Sequence, residues 1–318
     1  MKITINTIVL PLVVVLFFYS CKSNEKNDHA KIEAKITERK KNIVKMHPVV
    51  FGGNRYIVNA DFGLEKKVPL MVHGNSTDYF MITHEIAEKL NNGKPIEKLE
   101  EYGYSEKGKG KFYIKRCVIG IDTFSQGNAT VFGWPEEAGK AAQGMIGTPF
   151  LLMNNVSVNF GKEELEIGIE STGKPDKKLL DQGYSYTNFQ VDERFKVTMN
   201  VFFFDLEKEI PITIGTVADE YSLDHITFKD VVGNTLSGEV GHSPSDTEPL
   251  VYSNTEPIKF KIANKQFEIP YGRASMISNA EYNNVKQEDL SSFGIIGRDW
   301  MVKHSAIIDY ANKLLYFK

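Results

Sequence analysis

Residues 294–301 (GIIGRDWM) and residues 144–151 (GMIGTPFL) share one pattern, in which an apolar pair lies between two glycines and a short segment follows. These two stretches are 150 residues apart. A second related pair, residues 68–75 (VPLMVHGN) and 210–217 (IPITIGTV), has an offset of 142. The chain therefore contains two copies of one unit, and the second copy holds about eight extra residues between its two stretches (150 − 142 = 8).

The pattern inside each copy is typical of β-strands. Residues 156–167 and 306–317 both show alternating apolar positions, a polar turn and a second alternating pair. Period-two alternation bounded by Gly, Asn and Lys predicts β-hairpins. Helical patterns are few: residues 83–90 predict one helix, and residues 150–154 and 300–304 predict single short turns. The sequence thus predicts an all-β fold with few short helices.

The order of these segments resembles that of the retropepsin-like aspartic peptidases: an apolar strand entering a tight loop, an intervening flap region, then two apolar residues and a glycine before a short helix and a hairpin. Residues 294–310 resemble the C-terminal signature of that family, and residues 144–160 are a weaker match. The resemblance covers residues 48–169 and 186–318. It implies a pepsin-like tandem of two acid-protease lobes related by a pseudo-twofold axis; the alternative is another all-β tandem.

The N-terminus predicts export and anchoring. The apolar run at residues 8–18 is too short for a transmembrane helix, which needs about 20 residues, but it suits a secretory signal. Ser20 precedes Cys21, which resembles a bacterial lipoprotein signal and implies that Cys21 is acylated. We expect a lipid-anchored protein of the bacterial cell envelope, facing the periplasm or the outside. The alternative is an ordinary cleaved signal with an incidental cysteine.

These signals divide the chain into five parts. They are a signal peptide at residues 1–20, a lipidated tether at 21–47, an N-terminal lobe at 48–170, a linker at 171–185 and a C-terminal lobe at 186–318. The linker boundaries follow from a polar stretch that contains a glycine and a proline.

Composition excludes several functions. The net charge of −3 argues against nucleic-acid binding. Two cysteines, Cys21 and Cys117, exclude a disulfide scaffold and a multi-cysteine zinc site. The seven histidines show no metal-site spacing, and no cofactor motif is present, so we expect neither metal nor cofactor. We expect a monomer whose partners are the membrane, through the lipid, and an extended peptide or protein ligand.

The family resemblance also implies a catalytic Asp-Thr/Ser-Gly at the tip of each copy, where two carboxylates share a proton and activate water. The chain contains no Asp-Thr-Gly and no Asp-Ser-Gly. The corresponding positions hold His73, Gly74 and Asn75 in the first copy and Gly215, Thr216 and Val217 in the second. Both motifs are therefore degenerate. Asn75 and Val217 replace glycines that would allow a tight turn, and a β-branched valine is expected to resist positive φ.

Two fallback sites remain. Asp78 and Glu220 are five residues past the degenerate positions and share the offset of 142, so they are either a relocated acid pair or loop-capping acids. His73 is a further candidate as base or ligand, although no partner for it is visible at Gly215.

Three functions follow as hypotheses. The first is a membrane-anchored, aspartic-peptidase-like protein without catalysis that binds extended peptide in the interlobe cleft. The second is an active aspartic-type endopeptidase that uses non-standard acids. The third is a purely structural surface module.

Overall fold

The computed structural model describes residues 42–50, 54–90, 100–105, 108–112, 114–121, 124–134, 142–217, 221–224, 256–270, 274–277 and 292–318. The signal peptide, Cys21 and Glu220 lie outside these residues. Within them, no helix is both long and apolar enough to cross a membrane. The same part of the chain contains no cluster of three His, Cys, Asp or Glu side chains that could hold a metal ion.

The described part of the first half contains twelve strands and two helices. The strands are β1 (Asn42–Lys45), β2 (His47–Val50), β3 (Asn54–Asp61), β4 (Val68–Val72), β5 (Phe80–Thr83), β6 (Glu100–Ser105), β7 (Gly108–Phe112), β8 (Ile114–Ile121), β9 (Phe124–Trp134), β10 (Gly144–Ile146), β11 (Ser157–Asn159) and β12 (Glu164–Ile167). The helices are α1 (His84–Leu90) and α2 (Thr148–Met153).

The described part of the second half contains eleven strands, two helices and a 3₁₀ turn. Helix α3 (Lys177–Asp181) precedes β13 (Ser185–Asn188), β14 (Gln190–Val191), β15 (Val197–Phe203), the 3₁₀ turn (Phe204–Leu206), β16 (Lys208–Ile214), β17 (Tyr221–Asp224), β18 (Ile258–Ile262), β19 (Lys265–Ile269), β20 (Ala274–Ile277), β21 (Gly294–Ile296), α4 (Arg298–Lys303), β22 (Ile307–Asp309) and β23 (Leu314–Phe317). The prediction of a mostly β chain with few short helices is confirmed.

Each half folds its strands into a curled sheet. In the first half the order is β2-β3-β4-β10-β5-β9-β8, and an additional pairing between β3 and β8 curls the sheet onto itself. In the second half the order is β19-β18-β15-β16-β21-β17-β20, with β14 beside β15. In both halves a central strand that runs into a loop pairs in parallel with a later strand, β4 with β10 and β16 with β21. Two lobes of one architecture result.

A third sheet joins the two lobes. Its order is β1-β12-β11-β22-β23-β13, so each half contributes three strands. At its centre Val158 pairs with Ile308, which is its own counterpart in the repeat (308 − 158 = 150). Two counterparts can be antiparallel partners only where a twofold axis passes between them. The two copies of the repeat are therefore related by a pseudo-twofold axis.

The joining sheet also explains two differences from the expected domain limits. Residues 42–47, expected in the tether, form β1 and the start of β2, because Val44 is buried and β1 completes the sheet beside β12. The linker contains α3, whose first turn is capped by Asp176 through a bond from Lys178 N–H at 2.8 Å. Leu179 of this helix packs on the outer face of the joining sheet.

One hydrophobic core runs through both lobes and fixes the positions of the loops above it. Its largest fully buried side chains are Phe80, Phe150, Phe203, Phe260, Trp300 and Phe317. Burial of an aromatic side chain of this size stabilises a fold by roughly 2–3 kcal/mol. The core thus holds the two curled sheets and the joining sheet as one support for the loops that follow β4 and β16.

Candidate functional site at the interlobe junction

The loops after β4 and β16 begin in the same way. The N–H of His73 donates to the carbonyl of Ile146 at 2.9 Å, and the N–H of Gly215 donates to the carbonyl of Ile296 at 2.9 Å. Each acceptor belongs to the parallel neighbour strand of its own lobe. His73 and Gly215 therefore occupy corresponding positions, one in each lobe.

The next residues of the two loops meet across the lobes. The N–H of Gly74 donates to Oγ1 of Thr216 at 2.7 Å, and this hydroxyl donates to the carbonyl of Val72 at 3.2 Å. Thr216 is buried. Because Gly74 and Thr216 are counterparts (216 − 74 = 142), this contact is a second point near the pseudo-twofold axis. We call the contact region of the two loops, residues 73–75 and 215–217, the interlobe junction.

Asn75 makes a second bridge at the interlobe junction. Its Nδ2 donates to the carbonyl of Ile214 at 2.7 Å, and its Oδ1 accepts from the N–H of Val197 at 3.0 Å. Both partners are buried main-chain groups of the C-terminal lobe. The carboxamide thus satisfies one acceptor and one donor that would otherwise be buried without a partner. Asn75 therefore links the two lobes through its side chain.

The space that a side chain on Gly74 would occupy is filled by a group from the other lobe. A Cβ on Gly74 would overlap the hydroxyl of Tyr310 and would lie 2.8 Å from Cγ2 of Thr216. The Tyr310 hydroxyl is buried without a hydrogen-bond partner among the described residues, and burial raises its pKa. The counterpart of Tyr310 is Phe160 (310 − 150 = 160), which lacks a hydroxyl. Where the second copy has Thr216 and Tyr310, the first has Gly74 and Phe160, so the hydroxyl is present on one side of the repeat only.

The junction loops do not need glycine at their third positions. Neither Asn75 nor Val217 adopts a positive φ, so the expected conformational conflict at Val217 does not arise. Val217 instead packs against an apolar cluster of the N-terminal lobe. The buried members of that cluster are Ile57, Met71, Met81, Ala142 and Met145. The valine therefore adds apolar contact between the lobes.

His73 is the titratable side chain of the junction. It is partly buried, and its Nδ1 accepts a hydrogen bond from the N–H of Asn75 at 3.3 Å. Desolvation by burial is the main cause that lowers the pKa of His73 to about 4; a hydrogen bond to its own backbone opposes this shift, and the charge of Arg55 adds to it. The imidazole is therefore neutral near pH 7. A neutral imidazole opposite Gly215, which has no side chain, cannot reproduce two carboxylates that share a proton.

Asp78 lies beyond the junction, and its environment differs from that of an axial acid. Its N–H donates to Oγ of Ser76 at 3.3 Å, and its carbonyl packs so closely on Gly147 that a Cβ there would overlap it. This contact explains the requirement for glycine at position 147. Desolvation by burial raises the pKa of the Asp78 carboxyl.

After the junction, the offset between corresponding residues of the two copies changes by one, as the strand pairing shows. Met145 pairs with Met81 in the first lobe, whereas its counterpart Ile295 pairs with Ser222 in the second. The offset is then 141 (222 − 81), one less than before the loop. The residue is lost between position 74 and position 81 of the first copy, so the counterpart of Asp78 is Asp219 if the loss precedes it and Glu220 if the loss follows it; both lie outside the described residues.

Sequence reasoning did not identify the roles of Asn75 and Tyr310. The sequence pattern marks Asn75 only as a substitution for glycine and Tyr310 only as a strand position. Their partners are more than 100 residues away in the chain, so no local pattern signals the contacts. One signal was available: the tyrosine and glycine of one copy stand where the other copy has phenylalanine and threonine.

Comparison with known proteins supports the fold. Neither known protein families nor curated proteins match the sequence. Among solved structures, the aspartic proteinase from Irpex lacteus matches with a TM-score of 0.54 and 10% identity, over 87% of this chain and 96% of that chain. Basic 7S globulin from soybean matches with a TM-score of 0.49 and 10% identity, over 87% and 95% of the two chains. The chain therefore has the bilobal, mostly β fold of an aspartic proteinase.

Proposed function

We propose that this chain is a lipid-anchored, aspartic-peptidase-like protein that binds an extended peptide between its lobes without hydrolysing it. One observation carries the proposal. The positions that correspond across the junction hold His73 and Gly215, so neither lobe supplies a carboxylate there, whereas the contacts that join the two loops are present.

The absence of hydrolysis follows from the chemistry that this fold supports. General acid–base assistance contributes about 10²–10⁴-fold in rate per positioned group. Gly215 has no group to contribute. His73 remains neutral to low pH and has no carboxylate partner at the junction, so it cannot act as one half of a proton-sharing pair.

The retained architecture supports the proposal of peptide binding. An extended peptide adds to sheet edges through main-chain hydrogen bonds, which do not depend on catalytic side chains. The two lobes keep their contacts at the axis through Thr216 and Asn75. Two lobes that are joined in this way can form a groove between them whether or not the protein hydrolyses peptides.

The proposed location is the bacterial cell envelope. The support comes from the sequence, in which an apolar run of secretory length ends at Ser20 and Cys21. Acylation of Cys21 would anchor the folded body to a membrane by the residues that precede β1.

An active endopeptidase is the second candidate. The observation that favours it is the raised pKa of Asp78, since a desolvated carboxyl is suited to proton transfer nearer neutral pH. In this case Asp78 would act with an acid from the corresponding loop of the second lobe, such as Glu220.

A digestion experiment separates the two candidates. The purified full chain is incubated with an unfolded-protein digest and a peptide library between about pH 3 and pH 7, and products are identified by mass spectrometry. We expect no cleavage that pepstatin inhibits, from the wild type or from Asp78→Asn/Glu220→Gln. Cleavage by the wild type that is lost in the double variant would instead establish a relocated acid pair.

A further inference from the structure

We propose that Met71, Met81 and Met145 form a binding site for a soft monovalent metal ion, Cu(I), in the N-terminal lobe. The ligands are the three thioether sulfurs. This inference goes beyond the proposed function and does not depend on it. The expectation of no metal rested on histidine spacing and cysteine content, and neither of these concerns thioether ligands.

The three methionines lie side by side on neighbouring strands. Met145 on β10 pairs with Met71 on β4 on one side and with Met81 on β5 on the other. All three belong to one cluster of buried apolar side chains that is separate from the main core. The chain has nine methionines, so a third of them stand at this one place. We call these three residues the methionine row.

The spacing of the strands suits a single ion between the sulfurs. Neighbouring strands are about 4.8 Å apart. A metal–sulfur bond is about 2.3 Å long, so two sulfurs on opposite sides of one ion are about 4.6 Å apart. Met145 is the central member of the row, and the two outer side chains reach the same ion by leaning toward it. The three rotatable bonds of methionine allow this movement.

The methionine row lies at the margin of the core, beside the loop after β4. Its members are 4% to 6% exposed. The side chains next to them on the same strands, which point to the opposite face, are completely buried: Leu70, Phe80 and Ile146. Oγ of Ser76 donates to Sδ of Met81 at 4.0 Å, so this sulfur faces the loop that also carries residues 73–75. Binding of an ion here therefore does not disturb the main core.

The second lobe shows that the fold does not require methionine at these positions. The same three strand positions of that lobe, paired in the same way, hold Thr213, Ile295 and Ser222. That row offers two hydroxyls and no thioether. A demand of the shared architecture would apply to both lobes, whereas the methionines stand in one lobe only. We therefore interpret them as a set of ligands.

The donor set selects a soft ion of low charge. Thioethers favour Cu(I), whereas carboxylate and carbonyl oxygens suit Mg²⁺ and Ca²⁺. Three neutral sulfurs supply no negative charge, so a divalent ion would keep its full charge in an apolar cluster at a high cost in desolvation. A monovalent ion bears less of this cost. The apolar neighbours of the row, which include Ile57 and Val217, limit access of water to the ion.

Methionine methyl spectra test the site directly. The full chain carries Cys21→Ser/Cys117→Ser, because free thiols would bind the same ion, and its methionine methyl groups are labelled with ¹³C. Ag(I) is the probe, since it has the charge and softness of Cu(I) and does not change its oxidation state. We expect the first equivalent of Ag(I) to shift the three signals of the methionine row, which are assigned by replacing each residue with leucine. The signals of Met199 and Met301, which lie in the main core, should not move.

Leucine variants measure the contribution of the ligands to affinity. Met145→Leu removes the central thioether and nearly conserves the side-chain volume, so the fold is kept. Loss of a group that only supports a ligand weakens metal binding by about 10- to 100-fold, so loss of a ligand should weaken Ag(I) binding by at least about 10-fold. The matched control is Met199→Leu, a buried position on β15 of the other lobe, which should bind Ag(I) as tightly as the parent chain. Cu(I), added without oxygen, should displace Ag(I) from the methionine row, and Mg²⁺ should not.

Two results would overturn the proposal. In the first, Ag(I) leaves the signals of the methionine row unmoved, or shifts only that of Met153, which is 75% exposed and would bind an adventitious ion. In the second, Met145→Leu and Met199→Leu bind Ag(I) with equal affinity. If Met145→Leu does not fold, the spectrum of the intact row and the affinity of Met71→Leu decide the question. These measurements contain no peptide, so their failure leaves the proposed function unaffected.

Discussion

Replacing Asn75 by alanine should weaken the connection between the two lobes. The carboxamide bonds to the carbonyl of Ile214 at 2.7 Å and to the N–H of Val197 at 3.0 Å. These partner residues are 1% and 0% exposed, so water cannot replace the lost bonds without rearrangement. An unsatisfied buried group costs about 1–3 kcal/mol. Two such groups predict that Asn75→Ala lowers the free energy of unfolding by about 2–6 kcal/mol.

The measurement is urea unfolding followed by tryptophan fluorescence and circular dichroism. The chain has two tryptophans, Trp134 at the end of β9 and Trp300 in α4, so each lobe carries one reporter. A Trp134→Phe background leaves only the reporter of the C-terminal lobe. In this background we expect the fluorescence transition of Asn75→Ala to occur at a lower urea concentration than that of the wild type. The reason is that the variant lacks two bonds between the lobes.

The matched control is Asn200→Ala. Asn200 is exposed and lies on β15, the strand that carries Val197, so its removal should change the free energy of unfolding by less than about 0.5 kcal/mol. Equal stabilities for Asn75→Ala and Asn200→Ala would refute the reasoning. That result would mean that the two main-chain groups find other partners and that Asn75 is not a crosslink.

Three further predictions address the junction and the anchor. Gly74→Ala should lower the free energy of unfolding by about 1–3 kcal/mol through overlap with the Tyr310 hydroxyl, and Tyr310→Phe should recover part of the loss in a double-mutant cycle; additive effects would contradict the contact. The folded-state pKa of His73, about 4, is below the unfolded value of 6.5, so the folded protein binds fewer protons. Stability should therefore fall by roughly 3 kcal/mol more than in His73→Gln as the pH drops from 7 to 4, and parallel pH profiles in urea titrations would exclude a buried neutral ring. A fatty-acid analogue should label the wild type in cells but not Cys21→Ala, and equal labelling would rule out acylation at that position.

The fold was predictable because the repeat is expressed in patterns that survive sequence divergence. Alternation of apolar residues before Val72 and Ile214, and the glycine pairs that begin at Gly144 and Gly294, depend on burial and close packing rather than on function. Burial constrains each such position separately, so the pattern can be read from one sequence. The hairpin that ends each copy and the short helices followed from this pattern.

The details of the junction were less accessible. The one-residue shift between Met81 and Ser222 is set by strand pairing after the loop, and the sequences on either side do not show where the shorter loop loses its residue. Strand β1 was obscured in the same way, because it is only four residues long and lies within a charged stretch. In both cases the deciding partner is distant in the chain.

The interlobe junction also indicates which of its side chains the fold requires. Thr216 and Asn75 bond to main-chain groups of the opposite lobe: the first to Gly74 and Val72, the second to Ile214 and Val197. None of these four bonds involves the side chain of residue 73 or of residue 215. The bonds that join the lobes therefore do not depend on a carboxylate at either of those two positions. His73 takes no part in these four bonds, and its lowered pKa means that its neutral ring costs free energy of folding as the pH falls.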